Sequence, residues 1–410
     1  MTGDRQPNLN SMSRKIRVLF LPRWYPGPED PMPGLFIRRH AAAITPWCDV
    51  AVISIHPSPD GPVTPEVEFR VEDEVRVLRI RYREAGHAGS AVAKVRAGIR
   101  YYRACMKAYG SIRKFSPDLV HVHVLTRMGL IGWRIARREK IPLVISEHWS
   151  RYFPENGTYR GWLRKMLTRL VVSRAGVLTA VSGSLRDAMV QCGLKHRDFR
   201  VVPNVVVRPA AGAIVTPDPG AIRTMVHVSC FDDRSKNISG FLRSLKALSM
   251  QREDFRCLLV GTGPDHAAME AYAGELGLGD RAVFTGLMEG EEFWRILGAA
   301  DFSVLSSRYE TFGTVVPESL ALGVPVVATA TGIAPQVVDD SNGMLVPVGD
   351  EEAMTRALSE MIDRCRNYDR RMIAEKLGSG FDPDTVGQTL SGLYRSLKGV
   401  AVRTDNHGTR

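Results

Sequence analysis

Cysteine is scarce and unpatterned in this sequence. Its six residues, Cys48, Cys105, Cys192, Cys230, Cys257 and Cys365, are scattered without a C-x-x-C pair, so no disulfide framework is indicated and buried free thiols are expected. Long apolar runs are also missing. No stretch reaches the roughly 18 uninterrupted apolar residues a membrane-crossing helix needs, and the opening MTGDRQPNLNSMSRKIRVLF lacks the apolar core and small-residue cleavage site of a signal peptide. The expectation is a cytoplasmic protein. Repeats and low-complexity tracts are absent, and 44% hydrophobic against 24% charged residues is an ordinary globular balance, which excludes a disordered chain or a fibre.

What is present begins with length. A chain of 410 residues outgrows a single hydrophobic core, so two domains and a cleft are expected. The net charge of +11 is unevenly placed: residues 1–200 hold 34 Lys and Arg against 17 Asp and Glu, or +17, and residues 201–410 hold 21 against 27, or −6. The basic half should meet something anionic, either nucleic acid or a membrane surface with phosphate-bearing lipids.

Short apolar runs alternate with amphipathic ones. KIRVLFL (15–21), DVAVISI (49–55), EVRVLRI (74–80), DLVHVHV (118–124), IPLVIS (141–146) and AGVLTAVS (175–182) read as strands, and FIRRHAAAI, KVRAGIRYYRACMKAYGSIRKF and GWLRKMLTRLVVSR as helices. That rhythm predicts a parallel, doubly wound sheet. The Pro-, Gly- and Ala-rich segment 201–223 reads as a linker, after which TMVHVSC, FRCLLVG, AVFTG, DFSVLSS, PVVAT and GMLVPV start a second Rossmann-like domain. The predicted division is 1–205, 206–382, a C-terminal helix over 383–400 packing back on the first domain, and a polar, frayed tail over 401–410.

The most informative stretch is YETFGTVVPESLALGVPVVAT, residues 309–329. It leaves the carboxyl end of a strand, where open parallel sheets bind ligands. Pro317 suits a first helical turn, so the N–H groups near Gly313, Thr314 and Val315 form a candidate phosphate site. Glu318 by itself is a helix-dipole carboxylate, and Glu310 by itself a solvated loop residue. Together they bracket the turn, so that one can face a sugar and the other a ribose, with a diphosphate between them.

Glu, seven residues, Glu, with Phe-Gly after the first and ESLALGVPVVAT following, resembles the C-terminal signature of the retaining GT-B-fold glycosyltransferases of family 4. The resemblance extends through FLPRWYPGPEDPMPGLFIRRHAAAI, HVHV, PLVISEH, AVSGSL, VVPN, HVSCFDDRSKN, LLVGTGP and NGMLVP, in order, to a closing Leu-Tyr helix. It implies an α/β GT-B architecture of two Rossmann-like domains facing across a cleft, and a metal-independent transfer of sugar from a nucleoside-diphosphate donor to a hydroxyl acceptor. It implies His148, Lys236 and Glu310 as catalytic groups, and Gly34, Arg234, Gly261, Gly263, Phe312, Gly313, Thr314 and Glu318 as donor-binding.

Lys236 would be a point charge on the departing diphosphate. The arginine many relatives place five residues earlier is Phe231 here, and Arg234 is the nearest substitute. GTGP (261–264) either lets backbone approach a base or phosphate or is a simple turn. Gly34 matches the glycine loop beneath the diphosphate, without the doubled glycine common there. In TATGIAPQVV the usual Gly-Gly and Glu correspond to Gly332-Ile333 and Gln336. His148 would orient the anomeric carbon by hydrogen bonding a sugar hydroxyl. His121 and His123 share one strand face, but with His148 they find only Glu147 to complete a tetrahedron, so no metal is expected. No cofactor is expected beyond the nucleotide-sugar co-substrate, with UDP ahead of GDP as carrier and the base read near Val260 and Gly286.

The segments 159–174 and 94–114 mix apolar residues at helical spacing with arginines and lysines, as basic helices lying on anionic membranes do and as ordinary solvated helices also do. With the family they suggest an acceptor that is a lipid-linked or cell-surface polysaccharide precursor, and a place at the inner face of the membrane. The alternatives are a soluble small-molecule glycosyltransferase and a non-catalytic nucleotide-sugar-binding protein. No RNA-binding signature accompanies the basic half, so nucleic acid is not an expected partner.

Overall fold

The computed structural model describes residues 14–27, 32–84, 91–125, 127–207, 220 and 222–405. The chain divides into two compact units, one of Met1–Val144 with Gly387–Arg410 and one of Ile145–Val386. Most of the sequence-predicted linker, residues 208–219 and 221, lies outside the described residues, as do 406–410 of the predicted tail.

Among the described residues, fourteen strands form two sheets. β1 (Ile16–Pro22), β2 (Cys48–Ser58), β3 (Glu66–Glu72), β4 (Val75–Arg83), β5 (Leu119–His123), β6 (Leu143–Glu147), β7 (Val177–Ala180) and β8 (Phe199–Val201) are ordered β3-β4-β2-β1-β5-β6-β7-β8. β9 (Arg223–Val228), β10 (Phe255–Val260), β11 (Ala282–Gly286), β12 (Phe302–Leu305), β13 (Val326–Thr329) and β14 (Gly343–Val346) are ordered β11-β10-β9-β12-β13-β14. The second sheet is parallel throughout. These are doubly wound Rossmann-like sheets, and β1, β5, β6, β7, β12 and β13 are mostly apolar because they are buried almost throughout.

One part of the first sheet departs from the parallel expectation. β3 runs antiparallel to β4, with Glu72 paired to Val75 across a two-residue turn. Asp73 and Glu74 in that turn have φ of 48° and 63°, the left-handed pair a tight hairpin requires. The sequence hid this hairpin, since its turn is Asp-Glu rather than Asn-Gly and β3 is largely exposed.

The helix Ile238–Ser249 shows how pattern becomes packing in the second unit. Ile238, Phe241, Leu242, Leu245 and Leu248 recur at helical spacing and are all fully buried against Met225, Cys257, Leu259 and Phe302, with Met354, Leu358 and Met361 of the helix Glu351–Arg364. Each such side chain contributes roughly 1.5–3 kcal/mol by leaving water. Asp301 ties β12 to β9 by accepting from Thr224 N at 2.8 Å.

The C-terminal helix runs Pro383–Asp405 and returns to the first unit. A Cβ at Gly387 would stand 2.1 Å from the Ala43 carbonyl oxygen, so only glycine permits this approach. Two turns along, the Tyr394 hydroxyl lies 2.8 Å from His121 Nδ1, both residues fully buried. Burial and then the neighbouring His40 hold His121 well below the ordinary histidine pKa.

Candidate active site

Lys236 ends the single turn Asp233–Lys236, which follows β9. Asn237 beyond it is left-handed, φ 53°, a conformation asparagine tolerates better than most residues. The Lys236 side chain reaches Glu310 across 74 positions, Nζ to Oε1 2.5 Å, with only 19% and 10% of the two side chains exposed. Burial acts to lower the lysine pKa, but the charge and hydrogen bond of Glu310, with smaller help from Cys230 and Asp232, together outweigh it and leave the ammonium above its ordinary value. Glu310 is therefore no solvated loop residue. Its Oε1 also accepts from Ser307 Oγ at 2.8 Å, while the Ser307 carbonyl accepts from Thr329 Oγ1 at 2.8 Å.

The loop after β12 is fixed from several directions. Arg308 N donates to the Ser235 carbonyl at 2.8 Å, and Arg308 Nη1 to the Asp233 carbonyl at 2.5 Å. Ser182 caps the helix Gly183–Gln191 by accepting from Leu185 N at 3.2 Å, and donates to the Thr311 carbonyl at 2.5 Å. Gly313 has φ 78°, so the turn before Thr314 needs a residue without Cβ. Gly332 packs so closely that a Cβ there would lie 2.4 Å from the Phe312 carbonyl oxygen. The helix Val315–Ala321 begins at Thr314 and holds Pro317 and Glu318 in its first turn. Glu318 is 6% exposed, so it is more than a surface dipole partner.

Some sequence-predicted site residues have structural tasks. Phe312 is 1% exposed and meets Phe381 edge-on, with centroids 5.9 Å apart; its side chain anchors the loop in the core. Gly261 and Gly263 let the loops after β9 and β10 touch, since Cβ atoms would stand 1.9 Å from the Ser229 and 1.7 Å from the Cys230 carbonyl oxygens. This packing of one loop against another is a structural task for GTGP apart from both of the roles its sequence suggested. Phe231 is fully buried at φ 40°, against His266 and Phe284, so no cation occupies that point. Arg234 Nη2 donates to the Asn156 carbonyl at 2.6 Å. Gly34 belongs to the first unit, where at φ 79° it precedes the helix Leu35–Ala43.

His148 follows β6 and is 6% exposed. Its N–H and that of Trp149 donate to Glu147 Oε1, both at 2.9 Å, and Tyr152 Oη donates to Glu147 Oε2 at 2.8 Å. Glu147, considered from sequence only as a metal ligand, organises the turn that presents His148. Burial, then the Glu147 charge, push the Tyr152 pKa well up. The Arg151 guanidinium lies 3.4 Å over the Trp149 ring, which stiffens the same loop.

Sequence reasoning missed Ser182, Ser306, Ser307, Arg308 and His227 as neighbours of the site. AVSGSL held one local signal, a serine ahead of a helix; Ser307 lies only three residues from the Glu310 it meets, and Ser306, Arg308 and His227 meet the site through contacts far apart in sequence.

Comparison with known proteins bears on this geometry. The family model described as Glycosyltransferase Family 4 matches residues 46–207, and that described as Glycosyl transferases group 1 matches 223–376. The 2-deoxystreptamine glucosyltransferase of Streptomyces kanamyceticus is 27% identical over 70% of this chain and 77% of its own length. Among solved structures, a sucrose-phosphate synthase from Thermosynechococcus elongatus superposes with a TM-score of 0.75 at 20% identity, over 94% of this chain and all of that one. Anabaena HepE in complex with UDP-glucose gives 0.66 at 16% identity, over 93% and 100%. The two Rossmann-like sheets and these neighbours define the GT-B fold.

Proposed function

Since the chain belongs to the family 4 glycosyltransferases and has the GT-B fold, we propose that it transfers a sugar, with retention and without a metal, from a nucleoside diphosphate to the hydroxyl of a lipid-linked acceptor. The observation that carries this reading is the Lys236–Glu310 pair, a buried cation and carboxylate brought together at the carboxyl end of a parallel sheet.

Lys236 neutralises the charge that develops on the departing diphosphate, the role a metal ion plays elsewhere. Glu310 and Glu318 hold the sugar and the ribose on either side of the Gly313 turn, and His148 donates to a sugar hydroxyl. The acceptor oxygen attacks the anomeric carbon on the face the diphosphate leaves, and its proton passes to the leaving phosphate oxygen. The anomeric carbon–oxygen bond to phosphate breaks as the new glycosidic bond forms, so neither glutamate is a nucleophile. The pair thus differs in kind from the acid and nucleophile of glycoside hydrolases; its work is positioning. UDP is the expected carrier, in keeping with the UDP-glucose bound to the HepE neighbour.

The acceptor reading rests on the helix Trp162–Val172. Trp162, Leu163 and Met166 are 76%, 50% and 48% exposed, and Arg160, Arg164, Lys165 and Arg169 are exposed around them. Apolar side chains among cations suit the inner face of an anionic membrane. No helix among the described residues is long and apolar enough to cross one.

The test is donor turnover in EDTA with UDP- and GDP-sugars, with the anomeric configuration of the product read by NMR. Transfer in EDTA with the donor's own configuration is expected; inversion, or strict dependence on a divalent ion, would refute the mechanism.

A further inference from the structure

His227 lies on β9, 1% exposed, and plays no part in the chemistry above. Its ring stacks on Phe241, with centroids 4.9 Å apart and planes 20° from parallel. Nε2 is 3.0 Å from Ser306 Oγ, and Ser306 Oγ donates to the Lys236 carbonyl at 2.8 Å. A serine hydroxyl has one proton. Because that proton goes to the carbonyl, the oxygen must accept from the imidazole, so Nε2 carries hydrogen and Nδ1 does not. Burial, then the Lys236 charge, lower the His227 pKa to about 3, and the ring stays neutral in this tautomer at any working pH.

The held carbonyl is that of Lys236 itself, at the end of a one-turn helix whose next residue is left-handed. Such a carbonyl has no intrahelical donor. Ser306 satisfies it from the strand end that leads into Ser307 and Glu310, so backbone and ammonium of one lysine are gripped by one loop.

We infer that His227 is a positioning residue for Lys236: by donating to Ser306 it commits the serine proton to the lysine carbonyl and thereby sets where the ammonium meets the donor diphosphate. The inference rests on the function proposed above.

The experiment compares steady-state kinetics in EDTA and calorimetric UDP binding for wild type, His227→Leu, His227→Gln, Ser306→Ala, and His227→Leu in a Lys236→Ala background. In His227→Leu and Ser306→Ala, kcat should fall about tenfold while donor KM stays within about threefold, since the loss is felt as charge develops. His227→Gln, whose amide nitrogen can donate in place of Nε2, should recover most of that loss. In the Lys236→Ala background His227→Leu should add nothing, because it acts through the lysine. A kcat per folded enzyme that is unchanged in Ser306→Ala and His227→Leu, or an undiminished His227→Leu effect without Lys236, overturns the inference. Should His227→Leu not fold, Ser306→Ala and His227→Gln decide: loss in the first with retention in the second supports it, and wild-type kinetics in Ser306→Ala overturns it. A wild-type protein that binds no UDP or GDP and transfers no sugar overturns this inference and the proposed function together, whereas active wild type with unaffected variants overturns this one alone.

Discussion

Lys236 Nζ and Glu310 Oε1 stand 2.5 Å apart, so the cation suited to a donor diphosphate already has a carboxylate partner. An arriving diphosphate must share that ammonium or draw it away. Replacing Glu310 by Gln removes the competing charge and keeps a hydrogen-bond acceptor. Calorimetry should therefore show UDP bound roughly three- to tenfold more tightly by Glu310→Gln, while kcat falls by about a hundredfold if Glu310 holds the sugar as proposed. UDP affinity lower than wild type would mean that the carboxylate holds the lysine in place rather than competing for it.

His227 also predicts a pH dependence. Its folded pKa is depressed to about 3 from an unfolded value near 6.5. Between those values the unfolded chain binds the extra proton, so stability rises with pH and is lost on acidification through the window, by about 1.4 kcal/mol per pH unit from this residue. His121, depressed in the same direction by burial, adds to the slope. Chemical denaturation between pH 4 and 7 should show a shallower dependence in His227→Phe than in wild type; equal slopes would remove the buried neutral imidazole from the account.

The glycines of GTGP are expected to be strict. Gly263→Ala places a methyl group 1.7 Å from the Cys230 carbonyl oxygen, and the required backbone shift should lower stability by about 2–4 kcal/mol in urea titrations. Gly274, on the helix His266–Glu275, is the contrast, since a Cβ there would meet nothing within 4 Å. Gly274→Ala should be neutral or stabilising by up to about 1 kcal/mol. A neutral Gly263→Ala would contradict the close approach of the two loops.

The exposed face of Trp162–Val172 predicts membrane binding that is separable from stability. Trp162→Ala with Leu163→Ala and Met166→Ala should leave the melting midpoint within about two degrees, since exposed side chains add little, and should abolish co-sedimentation with phosphatidylglycerol vesicles. Wild-type binding should weaken as salt rises from low to physiological ionic strength. Equal sedimentation of wild type and variant would remove this helix from any membrane contact.

Legibility in the sequence followed burial. β1, β5, β9 and β13 stood out because strands covered on both faces are mostly apolar, although His121 and His123 interrupt β5 and His227 interrupts β9. The helix Ile238–Ser249 carries its core contacts in its spacing. β3 escaped because its residues are mostly exposed and its turn lacks the usual residues. The helices Arg127–Glu139 and Gly183–Gln191 were not read from periodicity, although the second had its serine cap in view. Phe312 was legible as part of a motif but not as a core anchor, since a motif carries identity and spacing without saying which way a side chain points.

Residue type and short spacing were enough to establish the alternation of strands and helices, the family resemblance, and the candidates Lys236, Glu310 and Glu318. Folding in three dimensions was needed to establish that Lys236 meets Glu310, that His227 reaches Lys236 through Ser306, that Ser182 holds Thr311, and that Tyr394 closes on His121. Those partners lie far apart along the chain, and which of them meet is set by how parallel strands are ordered in a sheet, where neighbours in space need not be neighbours in sequence.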